Sequence, residues 1–88
     1  MHRVTLVCDG VPSGGPEAAA GITQEFEAHR KHFHNVQCRF FAGSLILVAD
    51  SDFDEDGLAL MDEFSDLISA FLPPFDGDIR LQSSEPAT

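Results

Sequence analysis

The chain has 88 residues, of which 43% are hydrophobic, and a formal charge of −10 from 15 acidic and 5 basic side chains. That length holds one domain with a thin core, and that hydrophobic share excludes a disordered chain. A polyanion is repelled by phosphate backbones and anionic lipid, and no apolar run approaches the roughly 18 residues of a membrane span, so no nucleic acid and no membrane is expected as a partner.

Residues 4–8 read as a buried strand, nearly all apolar and closed by Asp9-Gly10. A glycine- and proline-rich loop follows, and Pro16 suits the first position of a helix predicted over 16–31. Ala19, Ile22, Phe26 and Phe33 form its apolar stripe; His29, Arg30, Lys31 and His32 crowd its negative C-terminal end. Residues 36–41 alternate as a second strand, with Val36, Cys38 and Phe40 on one side and Gln37 and Arg39 on the other. A tight turn at Ala42-Gly43-Ser44 leads to a third strand over 45–49, apolar throughout, so these two strands form an antiparallel hairpin. A second helix is expected to begin in the acidic stretch after Asp50, with Asp52 and Glu55 at capping-box spacing. Leu60, Phe64, Leu67, Ile68 and Phe71 make its buried stripe, and Pro73-Pro74 stops it. A fourth strand is predicted over 79–82. The domain is expected to span 1–83, with a flexible tail at 84–88.

This order, β-α-β-β-α-β, resembles the ferredoxin-like α+β sandwich. The resemblance implies an antiparallel sheet in the order 4-1-3-2 with both helices on one face. The pattern agrees with it. The first and third strands are near-continuous apolar runs, as central strands are; the second and fourth alternate with polar residues, as edge strands do. The same order separates Cys8 from Cys38 by two strand spacings, roughly 9–10 Å, too far for a disulfide. Free thiols without a secretory leader place the chain in a reducing cytoplasm. Two helices on one side leave the other face open. Either Val7, Ile46 and Val48 or Leu6, Leu45 and Leu47 then face outward, and contiguous exposed apolar surface implies an interface, here a homodimer.

Three clusters carry candidate chemistry. Asp52, Asp54 and Asp56, with Gly57 at the sixth place and Glu63 at the twelfth, resemble the EF-hand loop, which implies a calcium ion held by those carboxylates. The segment before it is β-like rather than helical, Ala59 stands at the eighth place, and no second loop pairs with it. The alternative is an acidic helix N-terminus favoured by the dipole. His29, His32, His34 and Cys38 could supply a zinc or nickel site, although their spacing matches no standard zinc pattern. Asp9, Gly10, Ser13, Gly14 and Gly15 precede the first helix, whose free N–H groups suit a carboxylate or phosphate ligand. That corner is similar to the ligand site of ACT domains, without their Asp-x-Pro-Gly turn. No catalytic residue stands out. The third strand lacks the aromatics of RNA-recognition motifs, and the first loop lacks both the Cys-x-x-Cys of metal-transport domains and the arginine of acylphosphatases. The expected function is a non-catalytic binding or assembly module that homodimerises through its open sheet face, with a small-molecule ligand. The alternatives are a calcium-binding protein and a small enzyme whose site forms at the oligomer interface.

Overall fold

A computed structural model describes residues 1–54 and 56–86. Six elements follow in order: β1 His2–Cys8, α1 Gly15–His29, β2 His34–Phe41, β3 Ser44–Ser51, α2 Leu58–Phe71 and β4 Ile79–Pro86. The strands form one antiparallel sheet in the order β2-β3-β1-β4, which is 4-1-3-2 read from the opposite edge. This is the ferredoxin-like α+β sandwich.

Period-two alternation in the central strands decides which face meets the helices. Val4, Leu6 and Cys8 of β1 and Leu45, Leu47 and Ala49 of β3 are buried in one cluster with Ile22 and Phe26 of α1 and Leu60 and Phe64 of α2. Their register is direct, with Leu6 opposite Leu47 and Cys8 opposite Leu45. Val7 lies opposite Ile46, and Thr5 opposite Val48, so these residues occupy the open face.

The β2–β3 hairpin closes through Ala42 and Gly43, both at positive φ (52° and 79°), the left-handed pair that matches strand twist in a two-residue loop. Further back, the β2–β3 register shifts between His34 and Gln37, and Asn35 takes a left-handed φ of 53°, which asparagine tolerates better than most residues. As an edge strand, β2 would expose alternate amides. The Cys38 N–H instead donates to Thr23 Oγ1 of α1 at 2.9 Å, and that hydroxyl donates back to the Ala19 carbonyl at 3.0 Å.

β1 and β2 each begin two residues earlier than the sequence predicts and β3 runs from Ser44 to Ser51; three further boundaries also differ. α1 ends at His29, and Phe33 is buried beyond it, packed edge-to-face on Phe26 with ring centres 5.8 Å apart. β4 continues through Pro86, because Ser83, Ser84, Glu85 and Pro86 pair with Thr5, Val4, Arg3 and His2. The tail expected at 84–88 is thus strand as far as 86, and residues 87 and 88 lie outside the described residues. α2 begins at Leu58, not soon after Asp50, because Asp50 and Ser51 complete β3 opposite Arg3 and His2.

The helix start is set by Asp54 rather than by a capping box at Asp52; Glu55, its expected partner, lies outside the described residues. Asp54 is 4% exposed, and its two carboxylate oxygens accept the Ala59 and Leu60 N–H groups, each at 2.9 Å. Gly57 makes the reversal between them, with φ 75° and its own N–H donating to the Asp54 carbonyl. Replacing Asp54 with alanine would orphan two N–H groups at a buried helix end. Asp54→Ala should lower unfolding free energy by about 1–2 kcal/mol, read from the urea midpoint, with the folded far-ultraviolet spectrum retained.

Candidate functional site

The open sheet face combines a short apolar strip with a balanced set of charges. Ile46 and Val48 are partly exposed at its centre, whereas Val7, named with them as an interface residue from the sequence, is buried at 4% exposure between its neighbours. Phe40 packs on the core, so its neighbour Phe41 must point the opposite way; it joins the open face and is 72% exposed. The consecutive phenylalanines in a strand are the signal that could have placed it there. Around the strip stand Arg3, Arg39 and Arg80 and the carboxylates of Asp9, Asp50 and Glu85. Three charges of each sign cancel, so this face contributes nothing to the −10 of the chain.

Two polar networks brace its ends. At one end the Arg3 guanidinium donates from Nε to Asp50 Oδ1 at 2.9 Å and from Nη2 to Oδ2 at 3.1 Å. The Asn35 side-chain amide, aimed by the left-handed backbone of the bulge, donates to the same Oδ2 at 3.0 Å. These bonds leave Asp50 2% exposed, yet they hold its carboxyl below the usual range, Arg3 contributing most, against the opposing effect of burial. At the other end Asp9 accepts from Ser44 Oγ at 2.6 Å and from Arg80 Nε at 3.2 Å, and its carboxyl is also lowered, chiefly by the Ser44 hydroxyl. Arg39 has no ion-pair partner among the described residues.

The structure does not bring the sequence-predicted ligand sets together. Asp54 caps α2, Glu63 is bonded to Arg30, Asp52 faces the Met1 amino group at 3.6 Å, and Asp56 accepts from the Leu58 N–H at 3.3 Å. Part of the calcium-loop pattern thus serves the start of α2. His29 pairs with Glu25 at 3.6 Å, the His32 ring lies 4.6 Å from that of Phe33, His34 is exposed on β2, and Cys38 is buried under α1. Among the described residues, no group of three or more His, Cys, Asp or Glu side chains could hold a metal ion.

In the loop, Asp9, Gly10, Ser13 and Gly14 are exposed and Gly15 is buried. A Cβ on Gly10 would lie 3.1 Å from the Asp76 carbonyl, Gly15 sits directly against the Phe40 ring, and Gly14, at φ 99°, accepts the first α1 hydrogen bond from Ala18. The segment over 72–78 docks on this loop, and a Cβ on Gly77 would lie 2.5 Å from the Asp9 carbonyl.

Beside it lies an open hollow of about 310 Å³ that the sequence did not reveal. Its walls include Cys8 of β1, Ser65 and Ser69 of α2, Phe75 of the connection and Ile79 of β4. The one hint in the sequence is Pro73-Pro74 followed by Gly77, which turns the chain away from α2 before β4 begins. A second hollow, about 360 Å³, lies between α1 and α2 beside Gly21, His29 and Phe71.

Both cysteines are free and buried. Burial pushes the Cys38 thiol up to about 12 and raises Cys8 as well, with Asp9 and Asp78 adding to the rise at Cys8. No helix among the described residues is long and apolar enough to cross a membrane. No family model, no curated protein and no solved structure matches this chain.

Two outcomes follow from these environments. A carboxyl lowered on folding contributes stability above its unfolded value near 3.8 and loses it as pH falls through the folded value. Asp50→Asn should therefore be less stable at neutral pH, by about 1–2 kcal/mol because half-exposed Arg3 is screened by water, and urea midpoints should converge with those of the parent below pH 3.8. In native buffer at pH 8, both thiols should resist an aromatic disulfide reagent on the timescale in which the urea-unfolded chain reacts fully.

Proposed function

We propose that this protein is a non-catalytic assembly and binding domain that pairs with a second copy of itself through the open sheet face. The observation that carries the reading is a charge-balanced, partly apolar face on a chain of −10. Two copies of so acidic a molecule repel each other through most approaches. Stacking face to face puts Phe41, Ile46 and Val48 against their counterparts while adding no net charge to the contact.

The sheet margins support a face contact over an edge contact. Thr23 occupies the Cys38 amide on the β2 side, and β4 ends in Glu85 and Pro86, residue types that discourage strand addition. A face contact is also isologous, so each residue that gains a neighbour gains it twice.

Sedimentation velocity over a concentration series tests the reading. The parent chain should shift from monomer to dimer as concentration rises. Val48→Glu, or Ile46→Glu, should raise the dimer dissociation constant by about tenfold or more, equivalent to about 1.4 kcal/mol, with unchanged monomer circular dichroism. Leu58→Glu, which adds the same charge at a 60%-exposed position at the start of α2, should leave it unchanged. A parent chain that stays monomeric at millimolar concentration, or an equal loss in the Leu58 variant, would overturn the proposal.

A further inference from the structure

The open hollow beside the 72–78 segment lies on the helical side of the sheet, away from the proposed assembly face. Cys8 and Ile79, opposite each other on β1 and β4, form its floor and pack with the core. Ile68 and Leu72 line it from the end of α2, and Phe75 from the connection to β4. Gly77 is not at positive φ, so its missing side chain answers to space rather than to backbone conformation. A Cβ there would collide with the Phe75 ring, which lies against the bare backbone and makes one wall. At about 310 Å³ the hollow falls at the small end of ligand pockets, which are typically apolar with a few placed polar groups.

The polar groups in the walls are hydroxyl and thiol only; none of the lining side chains is charged. Ser65 and Ser69 stand one turn apart on α2 and so share a face. Both are exposed, and neither hydroxyl is bonded to another group among the described residues. The Cys8 thiol is occupied, since it donates to the Asp9 carbonyl at 3.9 Å. Burial, helped by Asp9 and Asp78, raises that thiol, which keeps it uncharged at neutral pH. An ion of either sign that entered would give up its water without meeting an opposite charge in the walls. A neutral polar group loses far less, and the two serines can both donate to it and accept from it.

We infer that the hollow formed by Cys8, Ser65, Ser69, Phe75 and Ile79 binds a small uncharged molecule with a compact apolar body and one hydroxyl or amide group. The body rests between Phe75, Ile68 and Ile79, and the polar group meets the Ser65 and Ser69 hydroxyls. Pro73 and Pro74 line the same hollow and fix the backbone of its wall, so little chain entropy is lost on binding.

Amide chemical shifts of the full chain, titrated with benzyl alcohol, benzoate and benzylamine, test this inference. Benzyl alcohol should give saturable shifts at Ser65, Ser69, Phe75 and Ile79. Benzoate and protonated benzylamine, which keep the ring and carry opposite charges, should each bind about tenfold more weakly or worse. Ser65→Ala with Ser69→Ala should weaken benzyl alcohol about three- to tenfold, the worth of one neutral hydrogen bond. Ser69→Leu, at an exposed helix position whose side chain borders the space, should abolish the shifts while amides remote from the hollow stay unmoved. Absence of saturable shifts with benzyl alcohol, equal binding of either ion, or binding unmoved by both serine variants would overturn the inference. The same titration on Val48→Glu separates this site from the assembly reading, since the hollow should bind equally well in a monomer.

Discussion

A sheet has two faces, and this chain has helices for only one of them. That constraint governs the structure. β1 and β3 run through the middle of the sheet, and each carries apolar residues on both sides. The leucines at 6, 45 and 47 are packed beneath Phe26 and Phe64. The smaller, β-branched Val7, Ile46 and Val48 are turned outward, where neighbouring strands shelter them in part. Polar networks stand at the two ends of the face. Asp50 is held under Arg3 and Asn35, and Asp9 under Ser44 and Arg80, so the outer surface is organised rather than merely uncovered.

The acidic residues divide by what they touch. Asp54 satisfies helix amides, Asp50 anchors an arginine across β1 and β3, and Glu63 ties α2 to Arg30 beyond the end of α1. The alternating carboxylates, glycine and distant glutamate near the start of α2 have the spacing of a cation loop. Three of its members serve separate structural needs: Asp54 caps α2, Gly57 makes a left-handed reversal, and Glu63 ties α2 to Arg30.

Element order, the central and edge strands and the placement of both helices were legible because they rest on periodicity, which is local. The start of α2 was not. The run from Asp50 to Asp56 offers several carboxylates at capping distance, and only long-range pairing of Ser51 with His2 shows that β3 has not yet ended. β4 was underestimated for a related reason. Ser83, Ser84 and Glu85 have no apolar rhythm, and they are strand because β1 supplies their partners. Sequence could narrow the open face to two sets of residues, but the choice between them depends on how the helices dock. The cavity was out of reach, since its walls join Cys8 to residues of α2 and β4 that lie far along the chain.

The Thr23 hydroxyl on the outer side of β2 has a consequence for the kind of assembly open to this fold. The Thr23 hydroxyl engages the Cys38 amide on one margin and the other margin ends in Pro86, two local obstacles to sideways growth of the sheet. The proposed stacking about a twofold axis would use the same sheet face of each molecule. Were two molecules to pair in the proposed way, association would stop at two by geometry rather than by weak affinity.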